Sequence, residues 1–370
     1  MIPGWKLKRE VKRFKIQASA IPLALYEPFI QRKYDRTRHN LVTHHYGNAT
    51  LKSNLAIFLI YQPNGISNSV FNTCTYLNSE GFTPVIVCNS PITEADRNAL
   101  KKLSYLVIER PNFGYDFGGY RDGLWTIKKI GMNPDKVLLL NDSVWFPALN
   151  DNTFFAEILQ SNQDFVGTQV FDRGQQHGTR RYIYGSYCLL LSNSLINSVE
   201  FKNFWREYKL SSNKETTIRR GEREFSFRMI NSTKDTVGIY SIDRFNSVVE
   251  NLGSEKLREA LGDMIATDPA LERNRIQLSN ARTSTLWIDD SKNLLRAGAQ
   301  TKNYIGSSPI ISIREMGFPM IKKNNERLYT LARQRIAMAA NEGRLQGLNP
   351  VVLSEIEAVV SNQGQKSQEW

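Results

Sequence analysis

With 370 residues, 41% of them hydrophobic, the chain is long enough for one large α/β domain with additions or for two domains, and its composition excludes disordered and fibrous classes. The net charge is +12, but residues 1–50 carry ten Lys/Arg against three Asp/Glu. The remainder is therefore not the evenly basic surface of a nucleic-acid binder.

No apolar run approaches the ~20 residues of a membrane span. The opening MIPGWKLKREVKRFKIQ is basic, yet no small-residue cleavage site follows its short apolar block, so no signal peptide is expected. Within 5–16, Leu7, Val11 and Phe14 fall on one helical face, with Trp5 near its start. Two readings stay open: a basic amphipathic helix on an anionic membrane, or a solvated helix docked on its own domain. Cys74, Cys88 and Cys188 are scattered, without C-x-x-C spacing, and read as reduced, buried thiols of a cytoplasmic protein.

From residue 55 strand-like and helix-like runs alternate. LAIFLI (55–60) reads as strand, 67–79 as helix, TPVIVC (83–88) as strand and 93–103 as helix, with Thr93 and Asp96 resembling a capping box. SYLVIE (104–109) is strand, a glycine turn follows, then a helix from about Tyr120 to Ile130 and the strand KVLLLN (136–141). Further on come a helix (151–161), strands 164–171 and 186–192, and a helix (201–210). Beyond about 250 the chain reads as mainly helical, with a loose tail at SNQGQKSQEW. Short apolar strands separated by helices predict a mostly parallel, Rossmann-like sheet flanked by helices, whose ligands sit at the carboxyl ends of the strands.

Two constellations fall at such ends. RPNFGYDFGGYRDGLW (110–125) packs four glycines and two aspartates among aromatic rings. It is not G-x-G-x-x-G, but a helix starting near Tyr120 would offer N–H groups to phosphate, and Asp116 a carboxylate to a base or sugar hydroxyl. A purely structural turn competes with that reading. In VLLLNDSVWFP (137–147) an apolar run ends in Asn141-Asp142-Ser143. Asp142 suits a Mg²⁺ or Mn²⁺ bridging a diphosphate, and an Asx turn is the alternative. YGSY (184–187) is not G-x-S-x-G, and four histidines without H-x-x-x-H spacing or cysteine partners argue against zinc.

Together NFGYDFGGYRDGL and LLLNDSVWFP resemble the rhamnan synthesis protein F family of bacterial polysaccharide glycosyltransferases. The resemblance continues in GSYCLLLSNSLINSVEFKNFW (185–205), IRRGEREFS (218–226) and IREMGFPMIKK (313–323), covering about 55–325. It implies a GT-A-like fold, with 1–50 a basic segment, 51–250 the catalytic domain and 251–370 a helical region packed on it. It also implies inverting transfer of a sugar, L-rhamnose first, from a nucleotide donor such as dTDP-L-rhamnose to a growing glycan or lipid-linked acceptor. The enzyme would work in the cytoplasm, peripherally on the inner membrane face. Asn112, Gly114, Asp116, Gly118, Gly119, Arg121, Asn141, Asp142 and Ser143 would hold the donor. Ser186, Tyr187, Arg219, Arg220, Lys322 and Lys323 would face the diphosphate or acceptor.

Inversion needs a base for the acceptor hydroxyl. Glu222 matches the family position and Glu224 is the fallback, while a charged helix end with Arg219, Arg220 and Arg223 is the alternative for both. Two departures stand out. The usual Asp-x-Asp is replaced by Asn141-Asp142-Ser143, which leaves metal use open. Ile183-Tyr184-Gly185 stands where the family often has His-x-Gln, and His177 lies nearby at a different spacing. These departures keep a second class in view: a nucleotide-sugar or glycan-binding module without catalysis.

Overall fold

The computed structural model describes residues 26–176 and 179–368. The basic stretch 5–16 and His177 lie outside the described residues. The strands, in chain order, are β1 (Thr43–Tyr46), β2 (Asn54–Ile60), β3 (Phe82–Cys88), β4 (Leu106–Glu109), β5 (Lys136–Asn141) and β6 (Val144–Trp145). They continue with β7 (Phe165–Gln176), β8 (Thr179–Tyr184), β9 (Cys188–Ser192), β10 (Thr236–Tyr240) and β11 (Ile321–Lys322). The chain is α/β, with a mostly parallel arrangement of strands flanked by helices, as expected.

Two compact units emerge. Among the described residues the first takes in 26–66, 83–140 and 191–234, and the second 67–82, 141–190 and 235–368.

In the first unit the strand order is β1-β4-β3-β2-β5. β3 and β4 run parallel (Val85 opposite Leu106, Cys88 opposite Glu109), and β1 closes the edge antiparallel to β4. β2 and β3 are apolar almost throughout and buried almost throughout, the pattern of strands covered on both faces. The helix Glu94–Leu103 starts where the capping box predicts: Thr93 Oγ1 accepts from the Asp96 amide at 3.1 Å. A helix over 26–41 and an aromatic cluster of Phe117, Phe201, Phe204, Trp205, Tyr208 and Phe225 complete the unit.

In the second unit β7 is parallel to β10 (Phe165 opposite Thr236) and antiparallel to β8, with order β9-β7-β10. A two-stranded piece pairs β6 with β11, Trp145 opposite Ile321 and Val144 opposite Lys322. From 242 onward the chain is mainly helical, as the sequence predicts. Its core gathers Trp145, Ile310, Ile321, Ile336, Val352 and Ile356. One expectation is corrected here: the stretch expected to be loose is helical through Gln368, in an element running Pro350–Gln368 whose earlier residues Val352 and Ile356 are buried. All three cysteines are buried and free. No described helix is long and apolar enough to cross a membrane.

Candidate functional site

In the first unit the site begins where β4 ends. Gly114 takes a left-handed conformation (φ +81°), and the helix Tyr115–Lys129 starts directly after it. The helix therefore begins five residues before the expected Tyr120, and Gly118 and Gly119 lie inside it. Packing accounts for both: a Cβ on Gly118 would sit 2.1 Å from the Phe113 carbonyl oxygen, and one on Gly119 2.2 Å from Leu59 Cδ1 of β2. These glycines let the helix settle close on the sheet. The terminal N–H groups expected near Tyr120 belong instead to the turn around Tyr115 and Asp116, and Gly118 N already bonds Gly114 O at 2.9 Å.

The turn is held from beneath by groups the sequence did not single out. Buried Arg110 donates to Asp122 Oδ2 (2.6 Å), Asn89 Oδ1 (2.7 Å) and Phe113 O (2.5 Å). Asn89 in turn donates to Asn112 Oδ1 (3.1 Å) and Tyr115 O (3.2 Å). Arg121 forms a bidentate pair with Asp35 of the helix over 26–41, at 2.8 and 3.0 Å.

The segment carrying the expected base packs on this same turn. Tyr115 OH donates to Ser212 O at 3.0 Å, and a Cβ on Gly221 would sit 2.6 Å from the Phe117 ring. Ile218–Arg223 is a π-helical turn, followed by the helix Glu224–Ser232. Arg220 pairs with buried Glu27 at 2.7 Å, and Ser211 Oγ donates to the other Glu27 oxygen. Burial pushes the Tyr208 phenol up; Arg220 pulls it down, while Asp116 and Glu27 add to the rise. Asp116, Tyr208, Arg220 and Glu27 thus share one electrostatic neighbourhood. Glu222 is half-buried, whereas Glu224 and Arg219 are exposed. Arg228, absent from the sequence reading, ties this helix to Glu200 and to Glu207 (2.9 Å).

In the second unit Asn141, Asp142, Ser143, Tyr187, Lys322 and Lys323 come together. Asn141 closes an Asx turn, its Oδ1 accepting from Ser143 N (3.1 Å) and Ser143 Oγ (2.6 Å), while its backbone N–H donates to Tyr187 O (3.1 Å). The Asx-turn alternative is thus present at Asn141, and half-buried Asp142 follows it in the chain. The β6–β11 pairing carries the two lysines to it: Lys323 N donates to Ser143 O at 2.9 Å. Lys322 Nζ lies 3.3 Å from the centroid of the Tyr187 ring, and Tyr187 OH donates to buried Gln169, itself bonded to Asn303 (2.8 Å each).

Burial lowers the Lys323 ammonium from the ordinary lysine range, against the pull of Asp142 and Glu355. Its Nζ donates to Ser69 Oγ at 3.3 Å, and Glu355 accepts from Ser69 and from Trp145 Nε1, all at 2.7 Å. Arg333, 1% exposed, donates to the carbonyls of Lys322 (3.1 Å) and Asn324 (2.7 Å) and so holds the lysine loop from behind. Ser186 is half-buried beside Tyr187 in the chain. Among the described residues no three His, Cys, Asp or Glu side chains gather to hold a metal. Gln169, Arg333 and Glu355, which supply this buried support, were not singled out in the sequence.

Residues 84–234 match the rhamnan synthesis protein F family. The matched span holds every stretch on which the resemblance rests except IREMGFPMIKK. A relative from Sinorhizobium fredii (strain NBRC 101917 / NGR234), named uncharacterized protein y4gN, is 28% identical over 371 residues, 96% of this chain and 92% of its own. Among solved structures, the glycosyltransferase GlyE of Streptococcus pneumoniae TIGR4 is similar at 11% identity and TM-score 0.32, covering 68% of this chain and 64% of that one. A mannosyltransferase of Pyrobaculum calidifontis, solved with GDP-Man and Mn²⁺, is similar at 9% identity and TM-score 0.30, covering 95% of this chain and 92% of its own.

Proposed function

We propose that the protein is a GT-A-like glycosyltransferase of polysaccharide synthesis, moving a sugar from a nucleotide donor to a growing glycan or lipid-linked acceptor. The match over 84–234 supports the class. The observation that carries the chemistry is the strand-end cluster in which Lys322 and Lys323 meet the Asn141–Ser143 turn.

When a sugar leaves its nucleotide, negative charge grows on the diphosphate, and preorganised donors aimed at that charge lower the barrier. Lys322, held over Tyr187, and Lys323, held by Ser69, are such donors. Asp142 is the carboxylate that orients the donor beside them, and Ser186 and Tyr187 line the same strand end. In this reading the two lysines balance the leaving charge. A divalent ion joining the diphosphate to Asp142 is the second reading, since such an ion needs only one or two protein carboxylates.

Of the two base candidates, half-buried Glu222 is placed first and exposed Glu224 is the fallback, a carboxylate being suited to take the acceptor hydroxyl's proton. Asn112, fixed by Asn89, and Asp116 offer the nucleotide an amide and a carboxylate. dTDP-L-rhamnose is the first donor to test and inversion the expected outcome, on the inner membrane face. Replacing Asp142 with Ala should abolish transfer, and full activity in that variant would remove its assigned role. The non-catalytic rival rests on Asn141 spending its side chain on Ser143, where the family pattern has an acid. Calorimetric binding of a sugar nucleotide with no turnover when acceptor is present would favour it.

A further inference from the structure

The helices Tyr115–Lys129, Asn193–Asn197 and Val199–Glu207 leave a groove of about 360 Å³ in the first unit, which the transfer chemistry above does not use. Its wall is apolar and aromatic: Leu124, Trp125, Met132, Ile196, Phe201 and Trp205. Its charged lining has one sign, Arg121, Lys128, Lys202 and Arg206, without an Asp or Glu.

Asp35 neutralises Arg121. The other three cations are exposed, and the partners of Lys202 and Arg206 are the neutral oxygens of Asn197 and Asn203. Val199, Lys202 and Arg206 recur at helical spacing and share one face. Large apolar side chains stand open beside the cations: Trp125 is 47% exposed, Ile130 37% and Val199 74%. The Trp125 ring is flanked by Arg38 and Lys129, at 3.8 and 5.0 Å from its centroid.

We propose that this groove seats an anionic phospholipid of the membrane surface. A hydrocarbon chain lies along the Trp125, Phe201 and Trp205 wall, and the phosphate meets Lys128, Lys202 and Arg206. Indole rings favour such an interface because one end is apolar and the other wet, and lysine stems cover apolar surface while their ammonium groups reach the phosphate plane. Charge decides between occupants. The chain's own stretch 5–16, with six Lys/Arg against Glu10 alone, carries the same sign as the rim, so its charge does not complement the groove. A neutral apolar peptide would leave three cations without counter-charge. The lipid site goes beyond the transfer reading, and binding is measured without turnover, so the two can fail separately.

The test is co-sedimentation of the full chain with vesicles of phosphatidylcholine, alone or mixed with phosphatidylglycerol. Binding to the mixed vesicles is expected, weakened about tenfold or more in Lys128→Glu/Lys202→Glu. Trp125→Ala should weaken it as well. An Arg273→Glu/Arg327→Glu variant, with the same change in net charge elsewhere, should bind as the parent does. Circular dichroism checks folding, and Lys128→Gln/Lys202→Gln replaces the reversal if that variant does not fold. Equal losses in the groove and control variants would overturn the site. So would equal binding to both vesicle types, or binding abolished by Lys12→Glu/Arg13→Glu and untouched by the groove variants.

Discussion

Asp122 is buried against two cations, Arg38 Nε at 2.9 Å and Arg110 Nε at 2.6 Å, and accepts a short bond from Tyr34. Burial alone would raise its carboxyl, but Arg110, Arg38 and the Tyr34 bond outweigh that and hold it below the usual carboxylate range. The folded state therefore binds the proton less readily than the unfolded chain. Asp122 contributes stability above the ordinary carboxylate range, lost as pH falls through its depressed pKa. Asp122→Asn should cost about 3–5 kcal/mol at neutral pH, because it strands two buried guanidiniums. Urea unfolding across pH should also show a flatter acid limb; an acid limb as steep as the parent's would contradict the assignment.

Lys323 behaves in the opposite sense. Its ammonium, lowered by burial, should lose its proton at a pH where ordinary lysines keep theirs, and transfer should fall with it. Lys323→Arg should move that alkaline limb upward, and Lys323→Met should cut turnover roughly 10²–10³-fold at all pH values. An alkaline limb unmoved by arginine would exclude Lys323 as its source. Asp142 was read from the end of an apolar strand and the two lysines from a family resemblance, and the structure brings the three into one neighbourhood. Arg110, Asn89 and Gln169 were not legible, because their partners are chosen by the fold: Gln169 meets Asn303, 134 residues away.

The helix Tyr115–Lys129 shows how a glycine motif serves the backbone first. Gly118 faces a carbonyl oxygen, which cannot move without the chain, whereas Gly119 faces the end of a leucine, which can. Gly118→Ala should therefore destabilise more than Gly119→Ala, each within about 1–3 kcal/mol. Leu59→Ala should recover part of the loss at Gly119 and none at Gly118. A double-mutant cycle measures this, and additive effects at Gly119 would contradict the packing account. The long apolar runs were read to within a residue or two: 55–60 against Asn54–Ile60, 83–88 against Phe82–Cys88, and 136–141 against Lys136–Asn141. The helix start was missed because glycine ordinarily disfavours a helix interior, and here close approach to β2 overrides propensity. β6 and β11, two residues each, are too short for any periodicity, yet they deliver Lys322 and Lys323 to the turn.

At the scale of the molecule, the two units offer two sets of groups: an amide, acid and arginine neighbourhood around the Gly114 turn, and a carboxylate with two lysines at a strand end. The α/β class was legible in the alternating runs, and the resemblance pointed to the rhamnan synthesis protein F family, which residues 84–234 match. The sugar was not legible, since telling one hydroxyl epimer from another rests on a few hydrogen bonds. Transfer from a nucleotide sugar at Asp142 is the central proposal. The direct measurement is nucleoside diphosphate release from a panel of sugar nucleotides, dTDP-L-rhamnose among them, with a lipid-linked glycan acceptor. Parent and Asp142→Ala are compared, each with Mg²⁺ or Mn²⁺ and each with EDTA. Release from one donor is expected, persisting in EDTA and lost in Asp142→Ala. Folded parent protein silent across the panel, or Asp142→Ala as active as the parent, would contradict it.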